Sequence, residues 1–397
     1  MLHVVLFVTV LASSVAFIEP SPHDILMGVL AIVCVIAGVR FDRKLVPLLV
    51  LLVLFNAGLV ASLLNVLDDE KAVMYAGISL YLAIATLIFA CLFSEDSMRR
   101  LATMRTAYIL SAVVATGFAM IGYFNLFHGA EELFAKIGRA NSTFKDPNVF
   151  GPFLILPLLF LLDDMIARKV RLVGVLVTCW LLFGLLLSFS RGAWMHFVLS
   201  SAVLLALLFF TGPTLRARSR VVFAGLVAIG AIAVLVIMLM SIDSVYQMFV
   251  ERAKAIQYYD VGPMGRFHLQ KLALHALLDY PNGMGPFGFQ EMQGQQQHNV
   301  YLQAFLVYGW VGGVTYVALV LLTLVVGIRG AFTATPWQPY LICAVAAFVG
   351  EFGEGFVVDT DHWRHFFLLL GMIWGLSIAN LNVQRAAAIG RNQAAAA

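Results

Sequence analysis

His298 and Asn299 close the longest polar stretch of an otherwise apolar chain, and Gly309 and Gly312 follow inside the next apolar run. An imidazole where an aqueous loop re-enters a bilayer meets both a lipid-anchored and a water-soluble substrate. Its intrinsic pKa suits taking a proton from a hydroxyl near neutral pH. A lone interfacial histidine also serves as a hydrogen-bonded structural residue, so the assignment depends on its neighbours. Arg191, in Ser188-Phe189-Ser190-Arg191-Gly192-Ala193-Trp194, is a cation close to hydrocarbon. That position is costly unless the side chain snorkels or meets an anion, and a guanidinium fork matches phosphate oxygens. Arg252, Lys254, Arg266 and Lys271 lie in the long polar segment, where attraction to anionic headgroups competes with ligand binding as their explanation. Arg266 stands out among them, because Gly262 and Gly265 beside it let backbone approach a ligand closely.

The carboxylates form a second group. Glu351 and Glu354 share one helix face at i,i+3 spacing, and intramembrane carboxylates mark function by default. They suit pairing with cavity arginines or hydrogen bonding to sugar hydroxyls; a divalent-ion site with Asp359, Asp361 and His362 is the weaker alternative. The stretch Asp359-Thr360-Asp361-His362-Trp363-Arg364-His365 reads as an acceptor rim, with Trp363 able to stack on a sugar ring and Arg364 beside it. Lys145 and Asp146 stand before Pro147, where they either begin a helix or contribute to a donor site.

These residues need a membrane scaffold. Hydrophobic residues make up 61% of the 397 positions and charged ones 12%, too few polar side chains to cover a soluble globule of this length. Runs long enough to cross hydrocarbon as helix recur throughout, without the alternation of a barrel strand. The fold class expected is an all-α integral membrane protein of about twelve transmembrane helices. They are placed at 2–18, 24–39, 46–65, 73–93, 103–124, 148–163, 172–190, 193–211, 221–240, 300–328, 338–358 and 366–382. One polytopic domain, 1–397, is expected, with a periplasmic helical loop region, 241–297, inserted between spans 9 and 10. Within that region Phe267, Leu269, Leu272, Leu274, Leu277 and Leu278 fit an amphipathic helix that Arg266 begins.

With both termini inside, the basic clusters Arg40–Lys44, Arg99–Arg100, Arg168–Arg171 and Arg216–Arg220 fall in short cytoplasmic loops. His298, Arg191, Arg266 and the Asp359–His365 turn then share the outer face. Met1–Phe17 has no charged leader and no clear cleavage site, and is expected to be retained as a helix. Cys34, Cys91, Cys179 and Cys343 sit in apolar spans without metal or redox spacing, and a net charge of +3 gives no reason to expect a nucleic-acid partner. Gly38-Val39-Arg40-Phe41-Asp42-Arg43-Lys44 approaches a transporter loop motif but has Leu45 where that motif ends in glycine. A twelve-helix transporter or flippase is the alternative from another class, disfavoured because the long loop lies outside rather than between spans 6 and 7.

Taken in order, Asp146-Pro147-Asn148, Ser190-Arg191-Gly192-Ala193 and His298-Asn299-x9-Gly309-x-x-Gly312 resemble the bacterial O-antigen ligase and polymerase superfamily. The resemblance spans roughly residues 140–330. It implies a metal-independent, inverting glycosyltransferase of the inner membrane that needs no cofactor. Its partners would be an undecaprenyl-diphosphate-linked glycan donor, a glycan or lipid A core acceptor, membrane lipids and, for a polymerase, a chain-length regulator. Carried onto this chain, the family's histidine matches His298, expected as the general base, and its arginines match Arg191 and Arg266, expected to bind the diphosphate; Arg252 is a further diphosphate-binding candidate. Asn299, Lys145, Asp146, Glu351, Glu354, Asp361, Trp363 and Arg364 are further substrate-binding candidates. Gly313 replaces the Ser or Thr that ligases often carry after the second motif glycine, and the loop is short for a ligase. Ligase and polymerase both stay open, with ligase preferred.

Overall fold

A computed structural model describes residues 1–64, 66–167, 170–252, 262 and 265–396. Lys254 and, in the Arg168–Arg171 cluster, Arg168 and Lys169 lie outside the described residues. The chain is almost entirely helical. Its first helices are α1 (Leu2–Leu11), α2 (Pro22–Ile36), α3 (Val46–Leu63), α4 (Glu70–Ser94), α5 (Ser97–Tyr123) and α6 (Ala130–Phe134). A two-residue antiparallel pair, Ala135–Lys136 with Arg139–Ala140, separates these from α7 (Pro147–Phe153) and α8 (Ile155–Ala167). Then come α9 (Leu172–Leu187), α10 (Arg191–Thr211), α11 (Leu215–Leu239), α12 (Asp243–Arg252), α13 (Arg266–Asp279) and α14 (Gly288–Gln293). The last are α15 (Val300–Ala331), α16 (Gln338–Glu354) and α17 (Arg364–Ala396).

Every apolar run read from the sequence falls on helix. Among the described residues, 8 helical stretches are long and apolar enough to cross a membrane, and Leu2–Ser14, Pro22–Ile36 and Leu172–Leu187 are shorter apolar helices. The chain is therefore a multi-pass membrane protein. Its α11 has a mean hydropathy of 3.0 with only 11% of its spanning window buried, so bilayer hydrocarbon must cover the rest. Segment 241–297 contains α12, α13 and α14. The helix expected from Arg266 onward is α13, but its apolar residues are spread over both faces, Leu269 being buried and Phe267, Leu274 and Leu278 exposed. The sixth predicted span is two helices, α7 and α8, which meet at Leu154 just after Pro152; proline cannot donate the backbone bond that a continuous helix needs.

The chain divides into two compact units, each assembled from separated segments. One comprises Met1–Gly38, Met98–Ala255 and Ile342–Glu354; the other comprises Val39–Ser97, Ile256–Leu341 and Gly355–Ala397. In the second unit α4 packs along α17 and α3 along α15. The α3–α15 crossing is close because both faces carry glycine: a Cβ on Gly58 would lie 2.4 Å from the Tyr308 carbonyl oxygen and 2.7 Å from the Gly312 nitrogen. Beside this crossing Phe55 stacks on Tyr308 at 4.0 Å.

Gly309 serves a break in a helix rather than a helix crossing. It breaks α15, with φ 66° and ψ −174°, a backbone region that is essentially glycine-only. The turn after α13 inserts into the break. Trp310 N donates to Pro281 O at 2.8 Å and Met284 N donates to Leu306 O at 2.6 Å, so groups freed by the kink find partners on the turn. The Val307 carbonyl is taken by Ser62 Oγ at 2.5 Å. A Cβ at position 309 would lie 2.7 Å from the Asn282 carbonyl carbon. Gly309→Ala is expected to lose at least the ~1–3 kcal/mol that such a backbone conformation costs a residue with a side chain. Thermal unfolding in detergent reads this as a lower midpoint; an unchanged midpoint contradicts it.

Candidate functional site

In the second unit the site grows from the start of α15. Asn299 caps the helix: its side-chain oxygen accepts from Tyr301 N at 3.0 Å and Leu302 N at 3.1 Å, the usual work of an N-cap asparagine. Its amide nitrogen donates to the Phe356 carbonyl at 3.2 Å, and Val300 N donates to Gly355 O at 2.9 Å. The His298–Val300 corner is thus tied to the turn that follows α16. Gln270, one turn after Arg266 on α13 and so on the same helix face, donates to Phe356 O at 3.1 Å and to His298 O at 3.3 Å. His298 itself has a left-handed backbone, φ 51°, and an exposed ring. Arg266 and His298 are thereby joined through one glutamine.

The imidazole Nδ1 lies 3.5 Å from Asp359 Oδ2, which leaves Nε2 as the ring nitrogen turned away from that carboxyl group. Burial pushes the Asp359 carboxyl above the ordinary aspartate value, against the opposing effects of His298 and the Asn299 backbone N–H. Asp361 behaves in the opposite way. Burial alone would raise it, but the His362 charge and hydrogen bonds from His362 and Tyr75 hold it below the ordinary value. Tyr75 donates a short hydrogen bond to Asp361 Oδ2, Tyr308 OH reaches the same oxygen at 3.3 Å, and His362 Nδ1 at 3.2 Å. Two aspartates with pKa values pushed apart take different roles. Asp361 anchors the turn to α4 and α15, and Asp359 faces the histidine. Trp363 is only 6% exposed, with its ring 5.1 Å from His365, so no open indole face is offered to a sugar. Arg364 is the first residue of α17.

The first unit holds the arginine motif. Ser190 caps α10, accepting from Ala193 N at 3.3 Å, and Arg191 is the first residue of that helix. Ser190 Oγ donates to Asn148 Oδ1 at 2.9 Å, and Arg139 Nη2 donates to the same oxygen at 2.8 Å. Arg139 Nε reaches Ser188 O at 3.0 Å. Asn148 therefore joins the Asp-Pro-Asn and Ser-Arg-Gly motifs. Asp146 caps α7 through Asn148 N at 2.7 Å, which is the helix-starting role, and Lys145 pairs with Glu19 at 2.6 Å. Arg252 ends α12, whose Phe249 stacks against Trp194 at 5.5 Å.

Glu354 does not take an arginine as its hydrogen-bonding partner. Its Oε2 meets His196 Nδ1 at 2.8 Å, both side chains being buried, while His196 Nε2 lies 2.9 Å from Ala347 O. Glu351 is buried on the same helix, three residues before Glu354. Asp359 reads in the sequence as part of the acceptor rim rather than as the partner of His298, and Gln270, Arg139, Asn148 and His196 are the polar residues that sequence spacing did not single out for the site. Only Asn148, inside a quoted motif, and Gln270, four residues after Arg266, carried a local signal.

A sequence model of the O-antigen ligase family matches residues 176–317, a stretch that includes Arg191, Arg252, Arg266, His298 and both motif glycines. No curated protein matches the chain.

Proposed function

We propose, from the match of residues 176–317 to the O-antigen ligase family, that the chain is a member of the O-antigen ligase and polymerase superfamily and a periplasmic-face glycosyltransferase of ligase type. It moves a glycan from undecaprenyl diphosphate to a hydroxyl of lipid A core. The observation that carries the reading is the mounting of His298: an exposed imidazole on a left-handed corner, its Nδ1 toward the half-buried Asp359, and its backbone tied to the helix that Arg266 begins. Asp359 orients the ring, and Nε2 takes the proton of the acceptor hydroxyl. The acceptor oxygen bonds to the anomeric carbon as the bond from that carbon to the diphosphate oxygen breaks, which inverts its configuration. Arg191, Arg252 and Arg266 neutralise the departing diphosphate. The leaving group is already activated, so the reaction draws on no nucleotide.

Polymerase remains the second reading because Gly313 stands where ligases often carry a hydroxyl residue. Purified protein in vesicles, given lipid-linked donor and core glycolipid without ATP and with EDTA, is expected to transfer glycan to the core glycolipid. Longer chains still on the polyprenyl carrier would identify a polymerase instead. Activity that vanishes with EDTA and returns with a divalent ion would overturn the metal-independent mechanism.

A further inference from the structure

Helix α10 carries a buried histidine, one turn and a half beyond Arg191, that meets a carboxylate 158 residues later in the chain. The Ala347 carbonyl can only accept, so the His196 Nε2 facing it carries a hydrogen. The bond from Nδ1 to Glu354 then contains a single proton. Whether this proton sits on nitrogen or oxygen, the pair as a whole is neutral. That matters for a carboxyl group beside an anion-binding arginine, since an uncompensated carboxylate there would repel the diphosphate.

The other oxygen of Glu354 has no hydrogen-bond partner among the described residues, although it is buried. It points at the start of α10. A Cβ on Gly192 would lie 2.6 Å from Oε1 and 3.4 Å from the carboxyl carbon, so the carboxyl group fills the space a side chain at 192 would need. Gly350 brings α16 this close: a Cβ there would fall 2.2 Å from both His196 Cδ2 and Ser200 Oγ. The positive end of the α10 dipole favours the oxygen at that place.

We propose that Glu354, clamped and neutralised by His196, is the positioning residue for the Arg191 turn. The glycine of the Ser-Arg-Gly motif is there to seat the carboxyl group, and removing either partner lets Arg191 shift. The consequence for donor binding rests on the reading that Arg191 holds the diphosphate.

The test is a set of variants assayed for donor KM, kcat and thermal midpoint. Glu354→Ala and Gly192→Ala are each expected to raise donor KM by about tenfold to ~10²-fold, the scale of a misplacement near 1 Å, with kcat much less affected. Glu354→Gln keeps size, neutrality and a hydrogen bond to His196, and is expected to restore KM to near the native value. The double variant Gly192→Ala with Glu354→Ala is expected to be no worse than Glu354→Ala alone, because the added methyl group then has room. A native KM in Glu354→Ala while Arg191→Ala weakens equilibrium binding of the lipid-linked donor overturns the proposal, as do effects that multiply in the double variant. If Arg191→Ala itself leaves donor binding unchanged, the diphosphate reading fails instead. The positioning role is then decided by the thiol-labelling rate of Arg191→Cys, expected to change when Glu354→Ala is added and overturned if it does not.

Discussion

Replacing His298 with alanine is expected to slow glycan transfer by the ~10²–10⁴-fold that loss of a general base costs, while donor binding stays close to normal. The acid limb of the rate profile should vanish with the imidazole. The expectation rests on where the ring is held: Asn299 caps α15, Gln270 pins the His298 carbonyl, and Asp359 faces Nδ1. None of these contacts uses Nε2. Asp359→Asn is expected to give a smaller loss in kcat, since it leaves the base in place and removes only the carboxylate that orients it. Turnover near native in His298→Ala, combined with weak donor binding, would make the histidine a diphosphate ligand and end its assignment as base.

Arg191→Ala and Arg266→Ala are each expected to abolish transfer in protein that still inserts and folds. Both residues are the first of a helix, α10 and α13, where the positive end of the helix dipole already favours an anion. A guanidinium added there supplies two parallel donors and a permanent charge. Lysine at either position is expected to restore little, because an ammonium is a point charge and cannot reproduce the fork. Transfer assays on expression-matched membranes decide the matter, and full activity in either alanine variant removes that arginine from the diphosphate site.

What the sequence made legible follows the range of the interaction that sets it. The apolar runs and the helix that Arg266 begins depend on neighbours a few residues away, and helix is found at each. The His298–Asp359 contact joins residues far apart in the chain, as does His196–Glu354, and no spacing rule announces either pair. Glu354 was visible as an intramembrane carboxylate, yet its partner was concealed inside an apolar helix. Gly309 shows a subtler limit. Its motif signalled a glycine that mattered, but glycine permits both tight packing and a left-handed break, and only the inserted Pro281–Met284 turn tells which one operates. Trp363 was read as a sugar platform because exposure cannot be seen in a string of letters.

The break in α15 also fixes an order of events during biosynthesis. Ser62 on α3 donates to the carbonyl of Val307, and Gly283 fits against Ser62 and the Gly309 nitrogen, so the corner needs pieces made at three separate times. At ~5–20 residues per second, the ribosome takes at least roughly ten seconds to travel from Ser62 to Val307. Throughout that interval Gly58 on α3 has no α15 to pack against. The Pro281–Met284 turn likewise reaches its destination before the helix that will receive it exists. The seat of His298 is therefore among the last parts of the nascent chain to mature, and premature release of the polypeptide after α14 would leave α3 permanently without its mate.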